Sequence, residues 1–497
     1  MIRPEEIEPL LASVRGAIEG ILKPDLASDQ TRAAADAALM TLDRIVTDIR
    51  NGDAIAAPRL KAWEDIRAGI PVLGIDAPVG RVADFPGFLG ALHGLQVGVD
   101  GIQRLFGNDA GLAALVARLR SGDAGANAWF RSAVTALADL HDASETVVPK
   151  AAERKDAADT AAEALRLRKA LNAYFKLRYP QLPAEPVTAL RLVPGGYSKQ
   201  TAIFSLVPND VLPEQVVLRR DMAHSITPTS VNNEYPYMQQ AFAAGVKTPR
   251  PLLLESDPSF LGGTFMLMSE IPQATPSGTY FPEDRLREPS RTGPDFGKEV
   301  AATLAQLHSR TRVTDARSIP NYKMIALESH TSWCKFSPKA PLSLTMELSY
   351  AWLLSHPPRV DRPYCTVHGD FGTHNVLVRD GHLAALVDWE LSAVGDPADD
   401  LAQCRMLLLP GIMEWEDFVR EYVAAGGDPA ACDLEAVAYF CVALFIKHCL
   451  NNLTLRNAFL RGERTDIGAA TLISHYGDRV LQYQARALGI AIDARRE

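Results

Sequence analysis

Apolar residues recur at helical spacing through the first third of the chain. Further helical patterns cover residues 30–50, 88–119 and 127–174, and Asn51-Gly52 stops the first of these in the expected way. We therefore expect residues 1–178 to form an all-helical N-terminal domain that serves as an accessory or interaction module. The opening pattern consists of Leu10, Leu11, Val14, Ile18, Ile21 and Leu22.

The pattern changes to short strands after the boundary turn YPQLPAEP at 179–186. Apolar and β-branched runs are broken by Gly, Pro and Asn, which is typical of a small sheet. A single helix, 231–244, interrupts these runs. Residues 179–271 should therefore form a sheet with one helix. The predicted strands are 190–193, 201–207, 215–219, 251–255 and 263–269.

A segment rich in Pro, Ser, Thr and Gly at 272–294 predicts a surface loop, and a mainly helical region follows it to residue 497. The fold class we expect is α+β, with a small sheet-plus-helix lobe and a helical lobe after the N-terminal helices. Helical periodicity covers 296–309, 342–356, 399–409, 414–425, 434–461 and 467–488.

Composition narrows the class of protein. Hydrophobic residues make up 47 % and charged residues 22 %, which excludes a largely disordered chain. The net charge of −9 argues against nucleic acid as a partner. The longest apolar run, 436–446, is too short to span a bilayer, and residues 1–6 show no signal-peptide pattern. Six cysteines without a CxxC pair suggest neither zinc nor disulfides, so we expect a cytoplasmic protein without a membrane partner.

The chemistry is concentrated in 364–401. Two short apolar strands, 376–378 and 383–387, flank Asp380-Gly381, the dipeptide typical of a hairpin turn. Asn375 precedes the first strand and Asp388 follows the second, so antiparallel pairing puts both at one end of the hairpin. Asp370 lies in the loop at that end. Two carboxylates and a carboxamide therefore converge, which suits magnesium and phosphoryl transfer.

The stretch HGDFGTHNVLV…LVDWELSAVGDPADDLA resembles the motifs of the aminoglycoside phosphotransferase and choline kinase superfamily. The resemblance extends over about 186–490 and implies a bilobal protein-kinase-like fold. It implies that Asp370 is the catalytic base and that Asn375 and Asp388 hold Mg²⁺. Asp396 and Asp400 either brace the catalytic loop or cap a helix.

The predicted small lobe contains groups that suit a nucleotide. Gly195, Gly196 and Ser198 lie in a turn between strands, where the backbone can approach phosphate. Arg219 stands in phase with Val217, at the position where protein kinases have lysine. This departure resembles kinase domains linked to acyl-CoA dehydrogenases. It leaves Arg220 as a rival for the phosphate.

Two further features complete the expected nucleotide site. Glu234 opens the helix at a place similar to the glutamate that pairs with the kinase cation. The apolar run at 265–271 resembles the strand that leads to a kinase hinge. Met268 would then contact adenine, while the backbone at Ser269 and Ile271 would bond its edge.

The resemblance implies an ATP-dependent kinase that phosphorylates an alcohol hydroxyl. The acceptor stays open between a hydroxyacyl-CoA or other catabolic or xenobiotic alcohol and an antibiotic, aminoglycoside or macrolide. A nucleotide-binding pseudokinase is a further alternative. A homodimer through the N-terminal helices is also possible. Aromatic residues suggest an apolar acceptor surface: Trp333, Tyr350, Trp352, Trp389 and Phe440.

Overall fold

The computed structural model describes residues 109–142, 157–193, 199–222, 229–313, 320–336, 344–358, 362–460 and 477–494, with scattered positions before residue 67. Most of the predicted helices before residue 109, and residues 467–476 of the last one, lie outside the described residues. The rest of the chain combines helices with small antiparallel sheets, as the α+β prediction requires.

The helices of the described part are, in chain order, α1 (Asp109–Arg120), α2 (Ala124–Asp142), α3 (Ala157–Arg178), α4 (Val231–Ala243), α5 (Pro282–Leu286), α6 (Phe296–Arg310), α7 (Tyr322–Phe336), α8 (Leu344–Ser355), α9 (Ala398–Gln403), α10 (Trp415–Ala424), α11 (Leu434–Leu460) and α12 (Gly477–Asp493). The strands are β1 (Val187–Val193), β2 (Lys199–Leu206), β3 (Gln215–Asp221), β4 (Pro251–Glu255), β5 (Phe265–Ser269), β6 (Thr275–Pro276), β7 (Cys365–Val367), β8 (Val376–Arg379), β9 (His382–Leu386) and β10 (Ala393–Gly395).

Chain contacts divide the protein into two compact units. One comprises Met1–Arg154, Asn321–Pro358 and Cys441–Glu497, and the other comprises Lys155–Pro320 and Arg359–Phe440. All the candidate site residues belong to the second unit. The domains predicted from the sequence were 1–178, 179–271 and 272–497. They differ from these units because apolar periodicity predicts local helices and strands but not which distant elements pack together.

The five-stranded antiparallel sheet of the second unit has the order β1-β2-β3-β5-β4. Its register places Arg219 opposite Thr201 on one side and Met266 on the other, so these side chains share a face. Ala202, Phe204 and Leu218 point to the opposite face and are buried in the core. The alternation thus separates an apolar face from a face that carries charge, and the predicted strands are confirmed.

Helix α3 covers the apolar face of this sheet. Its residues Leu167, Leu171, Tyr174 and Phe175 recur every three or four positions and are buried in the same core as Phe204. The prediction placed α3 with the preceding N-terminal helices. In the structure it belongs with the sheet, because strands with one apolar face need a partner that covers it.

The hairpin of β8 and β9 forms as predicted. Strand β8 pairs with β9, and Arg379 lies opposite His382. Asp380 and Gly381 between them both have positive φ, 52° and 83°, as a two-residue type I′ turn requires. The pairing shifts by one residue between Leu377 and Val378, and beyond this shift Val376 lies opposite Leu386. Asn375 and Asp388 therefore lie together at the far end of the hairpin.

In the first unit, α12 packs on α2, and α8 contacts α1, α7 and α12. Phe130 stacks on Trp352, with ring centroids 6.0 Å apart. Helix α7 was not predicted from the sequence. Its buried face carries Ala326, His330 and Trp333, while Met324 and Ile325 are exposed. The apolar periodicity that reveals a helix is therefore broken.

A buried polar cluster joins α7 to α8. The Trp333 indole N–H donates to Glu347 Oε1 at 2.8 Å, and His330 Nε2 lies 3.2 Å from Glu347 Oε2. Burial alone would lower the pKa of His330. The contacts with Cys334 and Glu347 outweigh burial and raise that pKa to about 9.

The raised pKa of His330 predicts how the stability of the first unit depends on pH. The protonated imidazole is favoured in the folded state, so its contribution is complete below pH 6.5 and is lost as pH rises through about 9. Replacing His330 by glutamine should therefore reduce the free energy of unfolding more below pH 6.5 than above pH 9. Urea unfolding of both proteins measures this, and a difference that stays constant with pH would contradict the prediction.

One helix in the described part of the chain is long and apolar enough to cross a membrane by length and composition. The window Leu434–Ala458 has a mean hydropathy of 1.4, and 61 % of it is buried inside the protein. Burial is enough to account for its apolar composition. The sequence predicted this helix at 434–461, although its longest apolar run, 436–446, was too short to span a bilayer.

Candidate active site

The loop before β8 brings Asp370 and Asn375 into direct contact. The Asn375 side-chain amide donates to the backbone carbonyl of Asp370 at 3.0 Å and to its carboxylate Oδ2 at 2.9 Å. The backbone N–H of Val387 donates to the Asn375 carbonyl at 3.0 Å. Asp388, the next residue, therefore lies at the same end of the hairpin, as predicted.

The backbone before Asp370 needs a glycine. Gly369 has a φ of +77°, and a Cβ there would overlap the Leu391 carbonyl oxygen. The neighbouring His368 is buried, and its Nε2 lies 3.0 Å from the Val387 carbonyl. These contacts join the catalytic loop to the segment that carries Asp388.

Asp400 stabilises this loop by hydrogen bonds to its backbone. Its carboxylate accepts the backbone N–H of His368 at 2.8 Å and that of Gly369 at 2.9 Å. It also lies 3.2 Å from His308 Nε2 at the end of α6. Burial would raise the pKa of Asp400, but the contact with His308 and the N–H of Gly369 hold that pKa below its usual value.

Asp396 contacts the start of a helix, close to the capping role that the sequence left open. Its Oδ1 accepts the backbone N–H of Ala398, the first residue of α9, at 2.9 Å. The guanidinium of Arg362 pairs with both oxygens of the same carboxylate. Asp396 thus stabilises a helix and a buried ion pair, whereas Asp400 holds the catalytic loop.

Arg219 is the cation of the site. Its Nε donates to Glu234 Oε2 at 2.9 Å, and its NH2 donates to Asp388 Oδ1. Burial would lower the pKa of Arg219, but the charges of Asp388 and Glu234 raise it, so the guanidinium stays protonated. The predicted pairing of Arg219 with Glu234 is present in the structure.

Arg220 points away from this site. It lies on the opposite face of β3, where its NH2 donates to Gln200 Oε1 at 2.5 Å and lies 3.4 Å from Glu163 Oε1. Glu163 belongs to α3, on the covered face of the sheet. Arg219, and not its rival Arg220, therefore lies beside Asp388 and Glu234.

Glu234 is held at the start of α4. Ser230 caps this helix by accepting the N–H of Asn232, and the side chain of Glu234 is 1 % exposed. Burial raises the pKa of Glu234 above the usual carboxyl range. Arg219 opposes that rise, and the nearby charges of Asp388 and Glu390 add to it.

Asp388 has an unusual backbone conformation. Its φ is 68° and its ψ is 64°, a left-handed conformation that few residues other than glycine, asparagine and aspartate adopt. Its side chain is 28 % exposed, against 1 % for Glu234 and 12 % for Glu390. Of these three carboxylates around Arg219, Asp388 is the one that a solute reaches most easily.

The sequence around this site also matches the model of a known protein family. The model of the phosphotransferase enzyme family matches residues 189–437, half of the chain. The chain belongs to this family. The matched region contains Asp370, Asn375 and Asp388.

Curated relatives of this phosphotransferase include two acyl-CoA dehydrogenase family members. Member 11 of Gallus gallus is 28 % identical over 244 residues, which are 47 % of this chain and 30 % of that protein. Member 10 of Mus musculus is 31 % identical over 206 residues, 39 % of this chain and 19 % of that protein. This chain therefore spans less than a third of the length of these relatives. The predicted resemblance to domains linked to acyl-CoA dehydrogenases is confirmed.

Solved structures of similar proteins include a choline kinase from Streptococcus pneumoniae. It is 14 % identical, with a TM-score of 0.44 over 65 % of this chain and 99 % of that chain. A macrolide 2′-phosphotransferase from Brachybacterium faecium is 17 % identical, with a TM-score of 0.41 over 61 % of this chain and 98 % of that chain.

The predicted nucleotide contacts of the phosphotransferase are only partly within the described residues. Met268 is buried opposite Val217, on the face of the sheet that carries Arg219. The N–H of Ser269 donates to the Arg250 carbonyl at 3.0 Å, so this donor is already engaged within the sheet. Ile271 follows β5 and is half-buried. Gly195, Gly196 and Ser198 lie outside the described residues.

The structure brings two further side chains, Lys199 and His374, close to the predicted site residues. Lys199 is buried at the start of β2, and its in-phase spacing with Thr201 and Ile203 was the available signal. His374 lies with Nε2 3.3 Å from Asp370 Oδ2 and its ring 5.0 Å from that of Tyr280.

Replacing Asp400 by asparagine should destabilise this phosphotransferase by about 1.5–3 kcal/mol, because the amide cannot accept both of the backbone N–H bonds that the buried carboxylate accepts. The folded-state pKa of Asp400 is lowered, so its contribution is present above pH 3.8 and is lost as pH falls through the folded value. Urea unfolding at neutral and acidic pH measures both effects. The exposed Asp417→Asn is the control, expected to stay within about 0.5 kcal/mol of wild type. A change as small as this control for Asp400→Asn would contradict the assignment.

Proposed function

We propose that this kinase transfers the γ-phosphoryl group of ATP to an alcohol, with Asp370 as the base and Asn375 and Asp388 as the ligands of Mg²⁺. The observation that carries the proposal is one connected set of contacts. Asn375 bonds Asp370, Val387 bonds Asn375, and Arg219 bonds Asp388 and Glu234. The proposed base, Asp370, and the proposed metal ligands, Asn375 and Asp388, thus lie at one end of the hairpin. Arg219 contacts Asp388 from the charged face of the sheet.

The donors at this place fit magnesium. The metal prefers hard oxygen ligands and usually takes one or two carboxylates together with substrate phosphates. Asp388 supplies an accessible carboxylate and Asn375 an amide oxygen. No group of three or more His, Cys, Asp or Glu that could hold a metal occurs among the described residues, so the nucleotide would supply further ligands. Bound Mg²⁺ would neutralise charge on the phosphates.

Asp370 is placed to orient the acceptor. Asn375 fixes one of its carboxylate oxygens and His374 lies beside the same oxygen, so the side chain is held in a single orientation. A hydroxyl hydrogen-bonded to this carboxylate would pass its proton to Asp370 as the bond to phosphorus forms. Arg219 would meanwhile stabilise negative charge on the phosphates.

The nucleotide base would lie against the charged face of the sheet. We propose that Met268 contacts the ring and that the Ser269 carbonyl and the Ile271 N–H meet its edge. Gly195, Gly196 and Ser198 would approach the phosphates from the turn between β1 and β2. In this arrangement residues 179–271 bind the nucleotide and the helical region after 272 binds the acceptor.

For the acceptor we propose an alcohol that carries an acyl-CoA group. Support comes from the curated relatives, whose names refer to acyl-CoA. The aromatic residues that suggested an apolar acceptor surface give no support, because they are buried core residues: Trp333, Tyr350, Trp352, Trp389 and Phe440.

A panel experiment tests this proposal. The protein is incubated with Mg²⁺, γ-labelled ATP and separate acceptors: hydroxyacyl-CoA thioesters, choline, aminoglycosides and macrolides. We expect labelled product from a hydroxyacyl-CoA, with mass increased by one phosphoryl group. Transfer to an antibiotic alone would overturn the acceptor assignment, and nucleotide binding without any transfer would favour a pseudokinase. Light scattering on the same sample tests the predicted homodimer.

A further inference from the structure

Lys199 is a charged side chain with unusually little access to water. Its side chain is 1 % exposed, although burial of an unpaired ammonium is strongly unfavourable. Its Nζ donates to the Thr229 carbonyl at 2.8 Å and to the Thr229 hydroxyl at 3.0 Å. It also lies 3.7 Å from Asp221 and 3.5 Å from Glu390 Oε2. The mechanism derived above makes no use of this cation.

Glu390 links Lys199 to the site. The same oxygen, Oε2, lies 3.5 Å from Lys199 Nζ, 3.5 Å from Arg219 NH2 and 3.3 Å from the Thr229 hydroxyl. Glu390 follows Asp388 by two residues, in the short 3-10 turn Trp389–Leu391. One carboxylate therefore connects β2, β3 and the segment that carries the proposed metal ligand.

The charges of this cluster do not balance. Among the described residues in mutual contact here, two cations, Lys199 and Arg219, face four carboxylates. Two of these, Glu234 and Glu390, are the less exposed partners of Arg219, and Asp388 is the more exposed one. A divalent cation at Asp388 would compensate the excess, but it would also compete with Arg219 for that carboxylate. The carboxylates are Asp221, Glu234, Asp388 and Glu390.

We propose that Lys199 and Glu390 are positioning residues of the nucleotide site. Lys199 fixes the Glu390 carboxylate, and Glu390 holds the Arg219 guanidinium in place when Asp388 takes a metal. The guanidinium keeps two carboxylate partners, Glu234 and Glu390, and stays directed at the phosphates. This inference rests on the proposed function, because it assumes that Mg²⁺–ATP binds at Asp388.

Calorimetric titration of Glu390→Gln with ATP, with and without Mg²⁺, tests the proposal without relying on turnover. With Mg²⁺ we expect affinity to fall about tenfold, the effect of losing one charge-assisted contact. Without Mg²⁺ the loss should be smaller, because Asp388 still holds Arg219. Steady-state assays should show KM for ATP rising by a similar factor while kcat changes less, since Asp370 is untouched.

Variants of Lys199 give a second measure. Lys199→Met should weaken Mg²⁺–ATP binding as Glu390→Gln does, and Lys199→Arg, which keeps the charge, should bind more tightly than Lys199→Met. Should Lys199→Met fail to fold, the result for Glu390→Gln decides. Exposed Glu416→Gln and Lys298→Met serve as matched controls and should bind as wild type does.

The outcomes separate this inference from the function on which it rests. If wild type binds Mg²⁺–ATP and Glu390→Gln binds it equally well, the inference is overturned while the kinase site stands. A lowered melting temperature with unchanged affinity likewise reduces Glu390 to a structural role and overturns it. An equal loss of affinity with and without Mg²⁺ would show that Glu390 acts independently of a metal at Asp388, and this too would overturn the inference. If wild type itself binds no Mg²⁺–ATP, the proposed function fails and this inference with it.

Discussion

Replacing Asp370 by asparagine is expected to lower kcat by about 10²–10⁴-fold, the range for a positioned acid–base group. Asparagine keeps the shape of the side chain but cannot accept the proton of the acceptor hydroxyl. Since the proposed nucleotide contacts lie on other residues, KM for ATP should change little. Steady-state kinetics with the acceptor found in the panel, together with a melting curve, measures both effects.

The matched control for this variant lies on the same hairpin. Asp380→Asn changes an exposed aspartate at the turn, where φ is 52° and asparagine is equally well tolerated. It should retain the kcat of wild type. Full activity in Asp370→Asn would remove this residue from the mechanism, and the contact with Asn375 would then have only a structural meaning.

Replacing Asp388 by asparagine is expected to abolish most of the Mg²⁺-dependent turnover. The variant keeps the volume and tolerates the left-handed backbone at φ 68°, so folding should be preserved. It loses a charged metal ligand and one partner of Arg219. Electrostatic stabilisation by a bound metal is worth several kcal/mol, so kcat should fall by about two or more powers of ten.

A Mg²⁺ titration at fixed ATP separates this loss from a general defect. Wild type should show saturable activation, whereas Asp388→Asn should need far more Mg²⁺ or show no activation. Exposed Asp417→Asn is the control and should give the wild-type titration. An unchanged Mg²⁺ dependence in Asp388→Asn would contradict the metal assignment, even if the rate were lower.

The catalytic hairpin could be predicted because its information is local. Asp380-Gly381 sets the turn, and the antiparallel pairing of β8 with β9 brings Asn375 and Asp388 to the same end of the hairpin. The one-residue shift of register between Leu377 and Val378 could not be predicted from the turn. The pairing of Arg219 with Glu234 could be predicted in part, since strand phase gave the face of Arg219. What the pattern left open was the choice between Arg219 and Arg220, which follows only from the packing of α3.

The remaining features depend on contacts between distant parts of the chain. Lys199 contacts Glu390, which lies 191 positions later in the sequence, so no local pattern predicts the contact. Asp396 and Asp400 are four residues apart in one motif, yet one bonds the first residue of a helix and the other holds the catalytic loop. Their roles differ because each meets a different partner, Arg362 or His308, from elsewhere in the fold.

A crystal structure with Mg²⁺ and a non-hydrolysable ATP analogue tests the central claim most directly. We predict a magnesium ion at about 2.0–2.1 Å from oxygens of Asn375 and Asp388, the usual distance for this metal. The terminal phosphate should lie beside Asp370, with Arg219 directed at the phosphates. A metal held by other side chains, or a nucleotide bound away from Asp370, would contradict the account.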